Sequence, residues 1–319
     1  MKLVLLDADT LGADIDLSAF EKFGEFVVYK TTPESEKLSR VKDADIVITN
    51  KVIFDEATLQ QLPALKLIAL TATGMNNVDL KAALRLGVEV KNVAGYSTKS
   101  VAQHTFAMAL PLIGKLGFYD GYVKSGKWCE SKVFTNLDMP FFELSGKKWG
   151  IIALGAIGKE VAKIARAFGA KVAYYSTSGV ERAEKYPSVP LDELLRNSDI
   201  ISIHAPLNDK TRNLIDEREL SLIKQDALII NVGRGGIINE EALGRAIEGE
   251  KLYAAIDVLE NEPMRKGSPL ANLTKKERFI ITPHVAWGSV EARVRLMSLV
   301  YKNIKTFLDK GAANGGKRT

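Results

Sequence analysis

The sequence predicts an α/β protein made of two doubly wound parallel-sheet domains, and two observations predict it. Short runs rich in Val, Ile and Leu alternate with longer amphipathic stretches, the pattern of a parallel sheet covered by helices. The runs fall into two sets, and 319 residues with 46% hydrophobic and 26% charged side chains can bury two separate cores.

The first set lies at 3–6, 26–29, 46–48, 67–70 and 88–90. Its opening run is interrupted by Asp7 and Asp9 before a signal-type apolar region is complete, so it reads as a buried first strand. A helical stretch follows from about Lys99 to Leu116. Next comes an aromatic and polar segment, Gly117 to Glu143, which has no clear periodicity and is expected to project from the core. The second set lies at 150–154, 171–175, 200–203, 227–231, 253–257 and 279–281, each run ending in the Gly, Asp, Asn or Pro signals of a strand-to-helix turn. The last periodic stretch, 289–309, has nothing left to cover there and is expected to return to the first domain, which would then be discontinuous.

Composition narrows the function classes. The formal charge of +5 comes from 44 basic and 39 acidic residues scattered along the chain, so nucleic-acid binding is not indicated. The one basic cluster, Gly-Gly-Lys-Arg at 315–318, reads as a frayed tail. A single cysteine, Cys129, excludes an internal disulfide and a cysteine-cluster metal site, so no metal is expected and the cytoplasm is the expected address. No apolar run reaches the ~18 residues of a membrane span, which predicts a soluble protein with no membrane partner.

The run Lys147-Lys148-Trp149-Gly150-Ile151-Ile152-Ala153-Leu154-Gly155-Ala156-Ile157-Gly158 reads as a strand, a small-residue turn and a helix start, the context of a dinucleotide-binding glycine fingerprint. Gly155 lets backbone approach a pyrophosphate, and Gly158 lets the helix pack closely on the strand. Ala153 stands where the first glycine of the fingerprint usually lies. The next strand ends Tyr174-Tyr175-Ser176-Thr177-Ser178, with no acid to repel a 2′-phosphate and no arginine nearer than Arg182 to attract one. NAD and NADP both stay open.

Three further segments each follow an expected strand: Asn231 to Gly236, Asp257 to Pro263, and Thr282 to Trp287. They should gather at the carboxyl ends of one sheet, where ligands bind in such folds. Reduction of a 2-oxo acid needs a cation that grips the carboxylate and polarises the carbonyl, and the guanidinium of Arg234 suits both tasks. It also needs a proton donor that works near neutral pH, and His284 is the candidate. A carboxylate bonded to that imidazole would fix its orientation and favour its protonated form, the role assigned to Glu262. Asp257 could hold a nicotinamide carboxamide or cap a turn. His204 reads as a packed histidine supporting its loop, and His104 as a structural residue within a helix.

Ala153–Gly158, Arg234, Asp257, Glu262 and His284, with Val101-Ala102-Gln103-His104-Thr105 and His204-Ala205-Pro206-Leu207, together resemble the D-isomer-specific 2-hydroxyacid dehydrogenase family over almost the whole chain. The resemblance implies a flavodoxin-like substrate domain, 1–97 plus 286–319, and a Rossmann cofactor domain, 98–285, with the active site in the cleft. It implies that Arg234, Glu262 and His284 are catalytic. It also implies that Thr73 and Gly74 offer backbone N–H groups to the substrate carboxylate. Cofactor contacts carried over are Ala156, Ile157, Ser176, Ala205, Val232 with the adjoining Gly233, and Asp257. The 117–143 segment and the helix before it would form a homodimer contact.

Within the family, Thr282 to Ser289 with Glu291-Ala292-Arg293, and Asn92-Val93-Ala94-Gly95-Tyr96-Ser97, look most like glycerate dehydrogenases, also called hydroxypyruvate reductases. Interconversion of D-glycerate and hydroxypyruvate ranks first, with glyoxylate as a further substrate. Asn50 and Lys51 would bind a substrate hydroxyl, whereas Tyr96 would suit a D-lactate-type pocket. The reading from another class is a dinucleotide-sensing, corepressor-like binding protein; formate or phosphite oxidation on the same scaffold is a further enzyme reading.

Overall fold

Strands that are buried on both faces must be apolar along their whole length, and the Val-, Ile- and Leu-rich runs become such strands in the computed structural model of the chain. The structure describes residues 1–180 and 184–315, with side chains to residue 310. Arg182 and the 316–318 part of the basic tail therefore lie outside the described residues. The chain divides into two compact units, Met1–Ser97 with Gly288 onward, and Thr98–Trp287.

In the first unit, β1 (Lys2–Leu5), β2 (Glu25–Val28), β3 (Ile46–Thr49), β4 (Leu67–Leu70) and β5 (Glu89–Lys91) form a parallel sheet of order β2-β1-β3-β4-β5. That is the flavodoxin-like order, with its switch point between β1 and β3. Because strand side chains alternate, Val4, Val47 and Ile68 enter one core with Phe54, Leu59, Ala82 and Ala83. Val41 of α1 (Glu34–Val41) joins the same core, Phe54 precedes α2 (Glu56–Gln60) and Leu59 lies on it, and Ala82 and Ala83 lie on α3 (Leu80–Arg85). Asp55 and Asp79 cap α2 and α3 by accepting from backbone N–H groups of their first turns.

The second unit opens with α4 (Thr98–Ile113) and α5 (Leu116–Lys124). The chain turns between them at Lys115, which is left-handed at φ 52°. Here the structure corrects the sequence reading, which ran one helix to Leu116 and saw no periodicity from Gly117. None of the residues of α5 is buried, so the helix has no core-facing stripe to produce a period. From Ser131 to Lys147 no helix or strand forms.

Six strands follow: β6 (Lys148–Ile152), β7 (Lys171–Tyr175), β8 (Ile200–Ile203), β9 (Leu228–Asn231), β10 (Tyr253–Ile256) and β11 (Phe279–Ile281). They pair in parallel in the order β11-β10-β9-β8-β6-β7, and a lone parallel bridge from Tyr174 to Ser188 continues the sheet beyond β7. Counting that bridge, the order becomes the dinucleotide-binding one, reversing between β6 and β8. The connecting helices are α6 (Ala156–Ala167), α7 (Leu191–Asn197), α8 (Glu217–Leu222) and α9 (Glu240–Glu248). Successive strand residues go to opposite cores. Ile151, Ile200 and Ile230 join Phe106 and Trp149 beside α4 and α6, while Ile152, Ile201 and Ile229 join Leu194, Leu220 and Leu243 of α7, α8 and α9. β6 stops at Ile152, two residues before its apolar run ends, because Ala153 adopts φ 72° and cannot extend a ladder.

The final helix, α10 (Val290–Gly315), packs on β4 of the first unit. Ala292, Leu296, Val300 and Ile304 are buried at a spacing of four, and Tyr301 meets Phe20 and Phe23 at ring-centroid distances of 5.8 and 4.6 Å. We expect Leu296→Ala to cost about 3 kcal/mol in urea denaturation. A loss below about 1 kcal/mol would show that the helix contributes little to this core.

Candidate active site

The loops that follow β9, β10 and β11 hold one another through backbone. After β9, the Asn231 side chain accepts from Gly233 N at 3.0 Å and donates to Arg234 O at 2.9 Å, folding the loop back on itself. Arg234 is exposed, and its Nη1 donates to Gly233 O at 2.8 Å. A Cβ on Gly235 would lie 1.9 Å from the carbonyl atoms of Leu259, so only glycine lets this loop rest against the one after β10. That second loop is braced from α9, where Glu240 Oε1 accepts from Glu260 N at 2.7 Å. Burial raises the proton affinity of the Glu240 carboxyl, and the nearby Glu260 and Glu262 charges add to this, against the lowering effect of the Glu260 N–H.

Glu262 and His284 meet directly. Glu262 Oε1 accepts from Leu259 N at 3.0 Å, and Oε2 lies 2.7 Å from His284 Nδ1. A carboxylate can only accept, so Nδ1 carries the hydrogen and Nε2 is the nitrogen left for chemistry. His284 itself is left-handed at φ 54°. Asp257, 2% exposed, lies beneath it and accepts from Val285 N and Ala286 N, both at 2.9 Å, and from Thr282 Oγ1 at 2.6 Å. Of the sequence-selected residues, Glu262 and His284 are thus in contact, Asp257 supports the same loop, and the Arg234 loop is seated against the one that bears Glu262.

At the other strand ends the features are those of an anion site. Gly155 is the N-cap of α6, with no side-chain cap and no acid in the first turn. α8, by contrast, is closed by an Asp216–Glu219 capping box. The space where a Gly155 side chain would stand is open, whereas a Cβ on Gly158 would lie 2.5 Å from Ala153 O. The α6 N-terminus with Ala156, Ile157 and Gly158 is therefore free to receive a phosphate. Ser176, after β7, has its hydroxyl 3.3 Å from those of Ser178 and from Val180 O. Ala205, Val232 and Gly233 are buried after β8 and β9.

His204 ends β8. Its Nε2 lies 3.0 Å from Ser202 Oγ, which accepts from Trp149 Nε1 at 2.9 Å, and its buried Nδ1 has no partner among the described residues. This orphaned atom, the open space at Gly155 and the uncapped helix all fit a dinucleotide.

Within the first unit, Thr73 and Gly74 lie in an open depression of about 590 Å³ lined also by Met75, Asn76 and Asp79. Asn50 and Lys51 are held by a residue that sequence reasoning missed. The carboxylate of Asp7 accepts from Thr49 Oγ1 at 2.9 Å, from Asn50 N at 2.9 and 3.0 Å, and from Lys51 N at 2.8 Å. Asn50 Nδ2 donates to Thr71 O at 3.3 Å. The signal for Asp7 was its place just after the first strand; Thr282 and His104 stood in segments the sequence singled out, but nothing there signalled that they join the Asp257 cluster. Among the described residues no group of three or more His, Cys, Asp and Glu could hold a metal ion, and no helix is long and apolar enough to cross a membrane.

Burial pushes the His204 imidazole down to about 3. The folded value lies below the unfolded one, so the stability of holding this ring neutral is complete above about pH 6.5 and is lost as pH falls toward 3. Between about pH 7.5 and about pH 5 we expect the parent to lose ~2 kcal/mol more than His204→Gln in urea denaturation. Equal losses would mean that the ring charges freely in the fold.

Comparison with known proteins agrees with this geometry. The family description "D-isomer specific 2-hydroxyacid dehydrogenase, NAD binding domain" matches residues 106–286. A putative 2-hydroxyacid dehydrogenase of Haemophilus influenzae is 42% identical over 314 residues, covering 97% of this chain and 99% of its own. A hydroxypyruvate reductase of Blautia hydrogenotrophica is 37% identical over 322 residues, covering 98% and 99%. The crystal structure of the D-lactate dehydrogenase of Aquifex aeolicus, complexed with NAD and lactic acid, matches with a TM-score of 0.82 and 30% identity, over 97% of this chain and 96% of that one. With its two parallel sheets, its dinucleotide-type helix end and its Glu262–His284 pair, the chain belongs to the D-isomer specific 2-hydroxyacid dehydrogenase family.

Proposed function

We propose that this 2-hydroxyacid dehydrogenase interconverts hydroxypyruvate and D-glycerate, with Arg234, Glu262 and His284 as its catalytic set. The observation that carries the reading is the 2.7 Å contact that leaves His284 Nε2 as the working nitrogen. The bound dinucleotide, NAD or NADP, supplies the hydride in reduction and accepts it in oxidation. Arg234 grips the carboxylate of the 2-oxo acid and polarises its carbonyl. His284 gives its Nε2 proton to the carbonyl oxygen as C2 receives the hydride, and takes that proton back in the reverse direction. Glu262 holds the ring by Nδ1 and balances its charge when protonated.

Ala156, Ile157 and Gly158 with the open Gly155 would hold the pyrophosphate at the α6 N-terminus. Ser176 would face the adenosine ribose, and Ala205, Val232, Gly233 and Asp257 the rest of the dinucleotide. Thr73 and Gly74 would offer backbone N–H groups to the substrate carboxylate. Asn50 and Lys51 would bind the C3 hydroxyl that distinguishes hydroxypyruvate from pyruvate. The hydroxypyruvate reductase of Blautia hydrogenotrophica, alike over nearly the full length of both chains, supports that choice of substrate.

A second copy of this chain is proposed as partner. Phe134 and Leu137 are 89% and 71% exposed in a segment that also exposes Leu116, Trp128, Val133 and Phe141, the concentration of apolar side chains that marks an interaction surface. The cytoplasm is the proposed address, in keeping with the one exposed thiol, Cys129.

Initial rates of NADH and NADPH oxidation with hydroxypyruvate, glyoxylate, pyruvate and 2-oxobutyrate test the substrate. We expect the highest kcat/KM with hydroxypyruvate; a preference for pyruvate would replace this reading with a lactate-type one. His284→Ala should lower kcat by about 10²- to 10⁴-fold while dinucleotide affinity, read by fluorescence, changes less than twofold. Parent-level turnover in that variant would remove His284 from the mechanism. In sedimentation, the parent should be a dimer and the Phe134→Asp, Leu137→Asp double variant a monomer.

A further inference from the structure

Three successive backbone N–H groups at the His284 turn converge on one residue. His284 N donates to Asp257 O at 2.8 Å, and Val285 N and Ala286 N donate to the two carboxylate oxygens of Asp257 at 2.9 Å. A left-handed residue turns consecutive N–H groups toward one side and forms an anion-binding concavity. His284, at φ 54°, is that residue. A non-glycine residue in this conformation costs roughly 1–2 kcal/mol, and the hydrogen bonds of the turn to Asp257 offset that cost.

The aim of the anion is fixed in turn. Asp257 Oδ1 accepts from Thr282 Oγ1 at 2.6 Å, which uses the only hydrogen of that hydroxyl. The 3.0 Å contact between Thr282 Oγ1 and His104 Nε2 must then run the other way, with the imidazole donating and the hydroxyl accepting. His104 Nε2 also lies 3.6 Å from Asp257 Oδ1. His104 comes from α4, 178 positions from Thr282 in the chain. The result is a one-way chain of donors, from His104 to Thr282 to Asp257, and the carboxylate at its end also accepts from the turn that carries His284.

We propose that His104 and Thr282 are positioning residues for the acid–base histidine, acting through Asp257 on the backbone of residues 284–286. This rests on the assignment of His284 as acid and base. Neither side chain touches reacting atoms; together they orient the carboxylate that shapes the turn, and so set where His284 Nε2 points. Losing either link leaves the pocket intact but lets the ring leave its working direction, which harms the chemical step more than binding.

The test uses Thr282→Val, Thr282→Ser, His104→Leu and His104→Gln in the full chain, with the double variant Thr282→Val, His104→Leu. Asp257 is left alone because its carboxylate is also assigned a dinucleotide contact. We expect Thr282→Val and His104→Leu each to lower kcat at least tenfold, with KM for the 2-oxo acid within twofold of the parent and dinucleotide affinity changed far less than kcat. Thr282→Ser keeps the hydroxyl and His104→Gln keeps a donor at a similar reach, so both should recover most of the loss. The double variant should be little worse than the poorer single one, since either change breaks the same chain.

Parent-level kcat in both Thr282→Val and His104→Leu would overturn the inference. So would losses that the conservative variants do not recover, or losses matched by weaker dinucleotide binding. His284→Ala, measured alongside, separates the two claims. If it is inactive while Thr282→Val and His104→Leu are not, only the positioning role fails; if it retains turnover, the assignment beneath it fails.

Discussion

All strand pairs in both sheets are parallel, and this constraint governs the rest of the molecule. A parallel strand cannot return by a hairpin, so each needs a crossover connection, in most cases through a helix, and all loops after strands leave from the same edge. In the larger unit that edge collects the loops bearing Gly155, Ala205, Arg234, Glu262 and His284 from five strands. The sheet supplies their proximity without supplying their conformations. Those come from local braces, namely the Asn231 side chain, the Glu240 carboxylate, the close seating of Gly235, and above all Asp257.

The sequence made the strands and the chemical groups legible, and for a shared reason. A strand buried on two faces must be continuously apolar, and the residue just past its end stands where ligands gather, so both the run and its terminal polar residue stand out. Ile200–Ile203 and the His284 segment were read in this way. What escaped was everything decided by backbone angles or by distant partners. The end of β6 depends on the left-handed Ala153, and α5 lacks the buried face that produces a period. The link from His104 to Thr282 joins a helix to a loop through a hydroxyl whose donor direction only the neighbouring carboxylate determines. Asp7 was visible as a break in an apolar run, while its grip on residues 49–51 was not.

Two histidines that follow strands of the same sheet show how surroundings divide labour between like side chains. His204 is closed in beside Ser202 and Trp149 with no carboxylate at hand, and burial keeps it neutral. His284 is partly open and has Glu262 on Nδ1. A ring that stays neutral can act only as packing and a hydrogen-bond partner, whereas one with an acceptor on its far nitrogen has the arrangement that proton transfer needs.

The hold of Asp7 on its neighbours bears on how such an enzyme could change its diet. The carboxylate binds Asn50 and Lys51 by main-chain N–H groups, which every residue but proline possesses, and so is indifferent to the side chains there. The loop's course is guaranteed by one position while its chemistry is written at others. Exchange of the side chains at residues 50 and 51 therefore leaves in place the main-chain grip that sets the loop's course, whatever those side chains meet.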